Sequence, residues 1–228
     1  MDLAGFLTQT LIGIRYGLLL FLISSGLTLI FGVLGIINLA HGSLFMVGAY
    51  TAYLVTSATG SLWLGLPAGL LLGAGLGVAL ERGLFRHFYT REHLDQVLLT
   101  FALILLFEEA RWAIAGNDFH GVDPPASLAQ SIPISSGFSY RVYEFFVIAV
   151  CLLIAALLFL WIEKTRFGAM VRAAAEKPEM VDVLGIDARR IYMTVFAVGT
   201  ALAVLAGVLA APLSSVYPGM GNNYLIIS

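Results

Sequence analysis

Three groups of residues in this chain have types and spacings that could do chemistry. The first is Asn38, His41 and Ser43, set in the run Gly35-Ile36-Ile37-Asn38-Leu39-Ala40-His41-Gly42-Ser43, polar and glycine-bracketed inside otherwise apolar sequence. His41 beside Ser43 is nominally a base next to a nucleophile, but side chains two positions apart point to different faces of a helix. That spacing argues against an intramembrane hydrolase. Binding suits the three residues better. Irregular backbone at membrane depth is tolerated only where it is buried in protein or lines a wet cavity. Transporters use such breaks to aim helix ends and carbonyls at substrate. Asn38, His41 and Ser43 are therefore candidates for a substrate pathway. The alternative is a tight interfacial turn between two helices, with His41 hydrogen-bonded at the headgroups.

The second group is Glu108, Glu109 and Arg111. In a helix starting near Val97, Glu108 would lie about 16 Å along the axis, deep enough for an unpaired carboxylate to be costly. Arg111, three residues on, shares its face and offers an internal ion pair. A packing role or an outer-rim role is favoured over proton relay, and Glu108 stays a pathway candidate. If it carried protons, the chain would be an ion-coupled secondary transporter or a channel.

The third group is the segment Glu163 to Arg190, with eleven charged residues in 28. Ala169, Ala173, Ala174 and Ala175 favour a helix over its first half. Pro178 can open a second short helix that Gly185 can close. Met170, Val171, Met180, Val181, Val183 and Leu184 set apolar anchors among the charges. Such a segment either rests on the lipid surface or docks a partner.

Other chemistry finds no support. Gly-x-Ser-x-Gly, His-Glu-x-x-His and the phosphate-cradling Gly-x-x-x-x-Gly-Lys-Ser/Thr are all missing from the sequence. His87, His93 and His120 have no metal-ligand spacing, and the single Cys151 excludes a disulfide framework within the chain. We expect no enzyme activity and no metal or cofactor on this chain.

These groups need elements to hold them, and composition says which. Of 228 residues, 60% are hydrophobic and 11% charged, and mean hydropathy is +0.94. A soluble domain carries about a quarter charged residues. No Asp, Glu, Lys or Arg occurs between Arg15 and Glu81, a stretch of 65 residues. As helix it would reach roughly 98 Å, about three crossings of a 30 Å hydrocarbon core. The fold expected is an all-α, polytopic transmembrane bundle with a broken or re-entrant element near residues 35–43. Six spans are expected, at 16–33, 44–57, 62–80, 97–115, 145–162 and 191–213, and short barrel strands are not seen. The first span could begin as early as Leu7, with Arg15 snorkelling or paired. A net charge of −2 gives no pull toward nucleic acid.

Orientation follows from the basic residues. Nine of the twelve Lys and Arg lie in two segments, 81–96 and 163–190, two crossings apart. Both are expected on the cytoplasmic side, which puts the N-terminus outside. Gly65, Gly69, Gly73 and Gly77 recur every four residues in the third span, and Gly199, Ala203, Gly207 and Ala211 in the sixth. Such smooth stripes let backbones approach closely. Packing within the chain is the simpler use, and a face for a second subunit the other.

The run from Gly26-Leu27-Thr28-Leu29-Ile30-Phe31-Gly32 through Gly35 to Gly42, continuing to Tyr50, resembles the N-terminal signature of branched-chain amino acid ABC permeases of the LivH/LivM type. Arg166-Phe167-Gly168, Arg172-Ala173, Leu184-Gly185-Ile186 and Ala206-Gly207-Val208-Leu209 are similar to later parts of the same family. The resemblance implies one of two permease subunits, related or identical, in a bacterial inner membrane. Two cytoplasmic ATPase subunits would bind and hydrolyse the ATP, and a periplasmic binding protein would deliver substrate. Cargo in the family includes branched-chain and other amino acids, urea and small amides. On this resemblance Arg172, Ala173, Glu176, Lys177 and Gly185 belong to the element that couples to the ATPase. Relatives continue beyond the region matching Gly219 to Ser228, so a C-terminally truncated permease is expected.

Overall fold

The structure is a computed structural model and describes residues 3–135, 138–177, 185–221 and 224. Among these, seven α-helices follow one another: α1 (Leu3–Leu34), α2 (His41–Thr59), α3 (Leu62–Gly83), α4 (His93–Ala115), α5 (Val142–Lys164), α6 (Arg166–Glu176) and α7 (Ala188–Ala210). Single 3-10 turns occupy Phe85–His87 and Ala126–Leu128. The protein is an all-α, multi-pass helical bundle.

Helix ends are set where the sequence has breakers. Gly35 adopts φ +69° and its N–H donates to the Phe31 carbonyl at 2.8 Å, closing α1. Gly60, at φ +70°, ends α2 in the same way on Thr56. Between α1 and α2 the Asn38 side-chain oxygen accepts the Ala40 N–H at 3.1 Å, and its carbonyl accepts the His41 N–H at 3.0 Å. Asn38 thus turns the backbone into α2 with its own side chain.

α7 is the axis of the bundle. It packs against α1, α2 and α3, and its buried face includes Val195, Phe196, Gly199, Thr200 and the run Ala206 to Ala210. The stripe of α3 lies on it: a Cβ at Gly73 would come within 2.8 Å of the Ala201 Cα, and one at Gly77 within 2.6 Å of the Ala197 Cα. α5 is the opposite case, apolar all round and with Leu152, Leu153, Leu157, Phe159 and Leu160 exposed, as a lipid-facing helix requires.

The helices extend past the expected bounds in several places. α1 begins at Leu3 rather than Tyr16, and Arg15 inside it pairs with Glu144 of α5 at 2.5 Å. α2 begins at His41 rather than Leu44, α4 at His93, α5 at Val142, and α7 covers 188–210 rather than 191–213. Among the described residues four helices, α1, α3, α5 and α7, are long and apolar enough to cross a membrane. Polar and small residues dilute α2, while α4 carries Glu108, Glu109 and Arg111 in its C-terminal half. One element does not follow from the sequence pattern. Ser131–Ser135 and Phe138–Arg141 form an antiparallel hairpin with Ser131 opposite Arg141 and an irregularity between Pro133 and Ser135.

Candidate functional site

The Asn38–His41–Ser43 group is buried at a three-helix junction. Asn38 is 1% exposed, His41 0% and Ser43 2%. The His41 Nε2 lies 3.1 Å from the Ile23 carbonyl oxygen. Because a carbonyl only accepts, this nitrogen carries the hydrogen. Depth follows from the partners. Ile23 lies eleven residues before the end of α1, and Gly199, which flanks the same spot, eleven residues into α7. Each is about 16 Å from its helix end. The chain therefore turns back along α1 after Leu34, and α2 starts beside the interior of α1 and α7 rather than at their ends.

The junction is made possible by missing side chains. A Cβ on Gly26 would lie 2.6 Å from the Gly199 carbonyl oxygen and 3.1 Å from the His41 Nε2. Cβ atoms on Gly48 and Gly207 would collide with the backbone of Val204 and Phe45, and one on Gly221 with Gly42. Glycines let the backbones of α1 and α2 close on α7, so that polar groups are packed rather than bathed. Two polar atoms there, Asn38 Nδ2 and His41 Nδ1, have no hydrogen-bond partner among the described residues, and Thr200 Oγ1, where α7 meets Gly77 of α3, is likewise without one. Buried polar atoms are ordinarily satisfied, so those left without a partner make this junction the candidate polar site of the bundle. Sequence reasoning gives Thr200, Gly26 and Gly48 no role of their own in a site. Thr200 has no polar neighbour in sequence to draw attention, and Gly26 has Leu22 and Ile30 four residues to either side, so it belongs to no stripe.

Glu108 is elsewhere, toward the far end of α4. The Arg111 Nε donates to its carboxylate at 3.0 Å, Nη1 donates to the Gly116 carbonyl at 2.5 Å, and Nη2 to Asn117 Oδ1 at 3.2 Å. The guanidinium also sits 6.0 Å from the centre of the Tyr50 ring. Arg111 thereby caps the end of α4 and fastens it to α2, and Glu108 supplies its counter-charge. The carboxylate lines a surface groove of about 500 Å³ with Leu105, Glu109 and Trp112, apart from the Asn38 junction.

The charged segment after α5 begins with a sharp corner. Thr165 accepts the Gly168 N–H at 3.0 Å, and Gly168 packs so tightly on the Trp161 and Ile162 carbonyls that a Cβ would collide with them. α6 buries Val171 and Ala174 among Leu29, Val33, Ile191 and Val195 and exposes Arg172, Ala173, Glu176 and Lys177. Arg172 folds back, donating to the Ile162 carbonyl and approaching Glu163 at 3.8 Å. Gly185 is exposed at φ +74°. The second short helix expected from Pro178, with Met180, Val181, Val183 and Leu184, lies outside the described residues.

A family model described as branched-chain amino acid transport system / permease component matches residues 9–227. The chain is similar to the high-affinity branched-chain amino acid transport system permease protein BraD of Pseudomonas aeruginosa, 25% identical over 96% of this chain and 76% of that relative. It is similar to the permease protein LivH of the corresponding system of Escherichia coli, 26% identical over 96% of this chain and 74% of that relative. It is also similar to the probable branched-chain amino acid transport permease protein LivH of Methanocaldococcus jannaschii, 28% identical over 93% and 69%. No solved structure matches the chain.

Proposed function

The chain belongs to the family of branched-chain amino acid transport permease components, and from that premise we propose that it is one membrane subunit of an ABC importer for branched-chain or related amino acids. The observation that carries this reading is the backbone break at 35–40, which delivers Asn38 and His41 to mid-helix depth with unsatisfied polar atoms. A polar amino-acid head group crossing a bilayer needs such partners. In this reading Asn38, His41 and Ser43 shape the path, and Glu108 with Arg111 holds the outer end of α4. The chain pairs with a second permease subunit, receives cargo from a periplasmic binding protein, and sits in the inner membrane with its N-terminus outside. The segments 81–96 and 163–190 face the cytoplasm. Two ATPase subunits bind there and hydrolyse ATP, and α6 passes their closure to α1 and α7 through Val171 and Ala174, so that the pathway opens alternately to either side.

The test is uptake of labelled leucine into vesicles containing the complete permease and its ATPase subunits. Uptake should require ATP, and Asn38→Ala should lower it several-fold while assembly is retained. Uptake that follows a proton gradient without ATPase subunits would overturn the reading. Coupling is tested separately by co-purification. Lys177→Glu and Arg172→Glu should both weaken retention of the ATPase. Lys177 is the cleaner probe, because Arg172 is also tied to Ile162 and Glu163.

A further inference from the structure

A cleft of about 980 Å³ opens where α3 ends and α7 begins, between residues 81–90 and 187–193. Four arginines line it, Arg82, Arg86, Arg189 and Arg190, against two carboxylates, Glu81 and Asp187. Both carboxylates are engaged. Glu81, 4% exposed, accepts the Tyr89 hydroxyl at 3.0 Å. Burial, and then the Glu81 charge, hold that hydroxyl well above its ordinary range, so it remains a donor at any physiological pH. Asp187 pairs with Arg190 at 3.0 Å and accepts the Arg189 N–H at the start of α7. Among the described residues no carboxylate pairs with Arg82, Arg86 or Arg189, and Arg82 donates only to the Met193 sulfur, at 3.1 Å. A thioether is a weak acceptor and neutralises nothing.

Three guanidiniums with no carboxylate partner among the described residues thus come from two segments about a hundred residues apart and line one concavity. Excess basic charge near helix ends orients a membrane protein, but orientation alone does not require that it converge on a cleft. Guanidinium forks match the oxygens of a phosphate in pairs, which a carboxylate-poor wall leaves free to happen. The cleft lies at the ends of two helices long and apolar enough to span, and the ends of spanning helices meet headgroups; Tyr192 and Met193 give it a partly apolar wall. We propose that this cleft seats a phosphate group held by Arg82, Arg86 and Arg189. An anionic phospholipid headgroup and a free phosphate share that chemistry. The cleft is separate from the Asn38 junction, but it lies in the segments that the importer reading gives to the ATPase subunits, so the phosphate site is tested on the chain without them.

The test uses the full chain purified in detergent, monitored by native mass spectrometry with added phosphatidylglycerol or phosphatidylcholine, and by thermal shift with inorganic phosphate. Wild type should retain phosphatidylglycerol in preference to phosphatidylcholine, or be stabilised by phosphate alone. The first result names the lipid as the source and the second the free ion. The double variant Arg86→Gln/Arg189→Gln should weaken the preferred ligand about tenfold or more, while Arg86→Lys/Arg189→Lys keeps part of it and Arg141→Gln, on the hairpin, keeps all. Elution as a single species with wild-type melting in the absence of ligand shows that the variants are folded. The proposal is overturned if the glutamine variant binds like wild type or if wild type binds neither ligand.

Discussion

The His41 Nε2 stands 3.1 Å from the carbonyl oxygen of Ile23, so the first residue of α2 is tied to the middle of α1 rather than to its end. That single bond sets the depth of the non-helical stretch between the two helices. His41→Ala removes the bond and leaves a space at a junction with 0% exposure. We expect a loss of about 2–4 kcal/mol, read as a lower melting temperature in detergent. His41→Gln, which can keep a donor toward Ile23, should recover much of the melting temperature.

Close helix approach through glycine is the second test. Gly207→Ala places a Cβ into the Phe45 backbone, and Gly48→Ala places one into Val204. Either should cost several kcal/mol and yield little folded protein, at or above the overpacking range of about 1–3 kcal/mol. Gly75 is the control: it lies on the same α3 as the stripe, but a Cβ added there would meet nothing within 4 Å. Gly75→Ala should be neutral or stabilise by about 0.5–1 kcal/mol. Yield and monodispersity on size-exclusion chromatography read both outcomes.

The Arg15–Glu144 pair joins α1 to α5 at 2.5 Å with side chains 17% and 15% exposed. Removing one partner strands the other charge, which for partly shielded groups should cost about 2–3 kcal/mol, below the fully buried case. Glu144→Gln is therefore expected to melt earlier than wild type. The paired change Arg15→Met/Glu144→Leu should melt closer to wild type than Glu144→Gln does. Equal melting of all three proteins would show that the pair contributes nothing.

Tyr140, on the hairpin, is buried, and burial followed by the Glu144 charge pushes its hydroxyl up to about 12. An unfolded tyrosine ionises near 10, so between about pH 10 and 12 the unfolded chain loses a proton that the folded chain keeps. Stability from this group is full below pH 10 and declines as pH rises through that window. Melting curves from pH 9 to 11.5 should show Tyr140→Phe losing less stability with rising pH than wild type.

Much of the architecture is legible without coordinates. The 65 residues free of charge between Arg15 and Glu81 demand membrane helices, because only a spanning helix satisfies its own backbone in lipid. Gly35 and Gly60 mark helix ends because a left-handed turn costs glycine nothing. The ion pair of Glu108 with Arg111 follows from a spacing of three on a helix. The hairpin at 131–141 escapes such reading because Pro133 argues against a strand and the partner segment is short.

Tertiary structure decided what local pattern is unable to encode. α1 and α5 are apolar on every side, so periodicity does not say which face meets protein and which meets lipid. Between helices in lipid, tight van der Waals fit replaces the hydrophobic drive, and fit is a property of two surfaces rather than of one sequence. Hence the α3 glycines announce a smooth face, but only the fold sets that face on Ala197 and Ala201 of α7. In the same way, Arg86 and Arg189 are ordinary basic residues in the sequence and become walls of one cleft only because α3 and α7 pack antiparallel, bringing the end of one beside the start of the other.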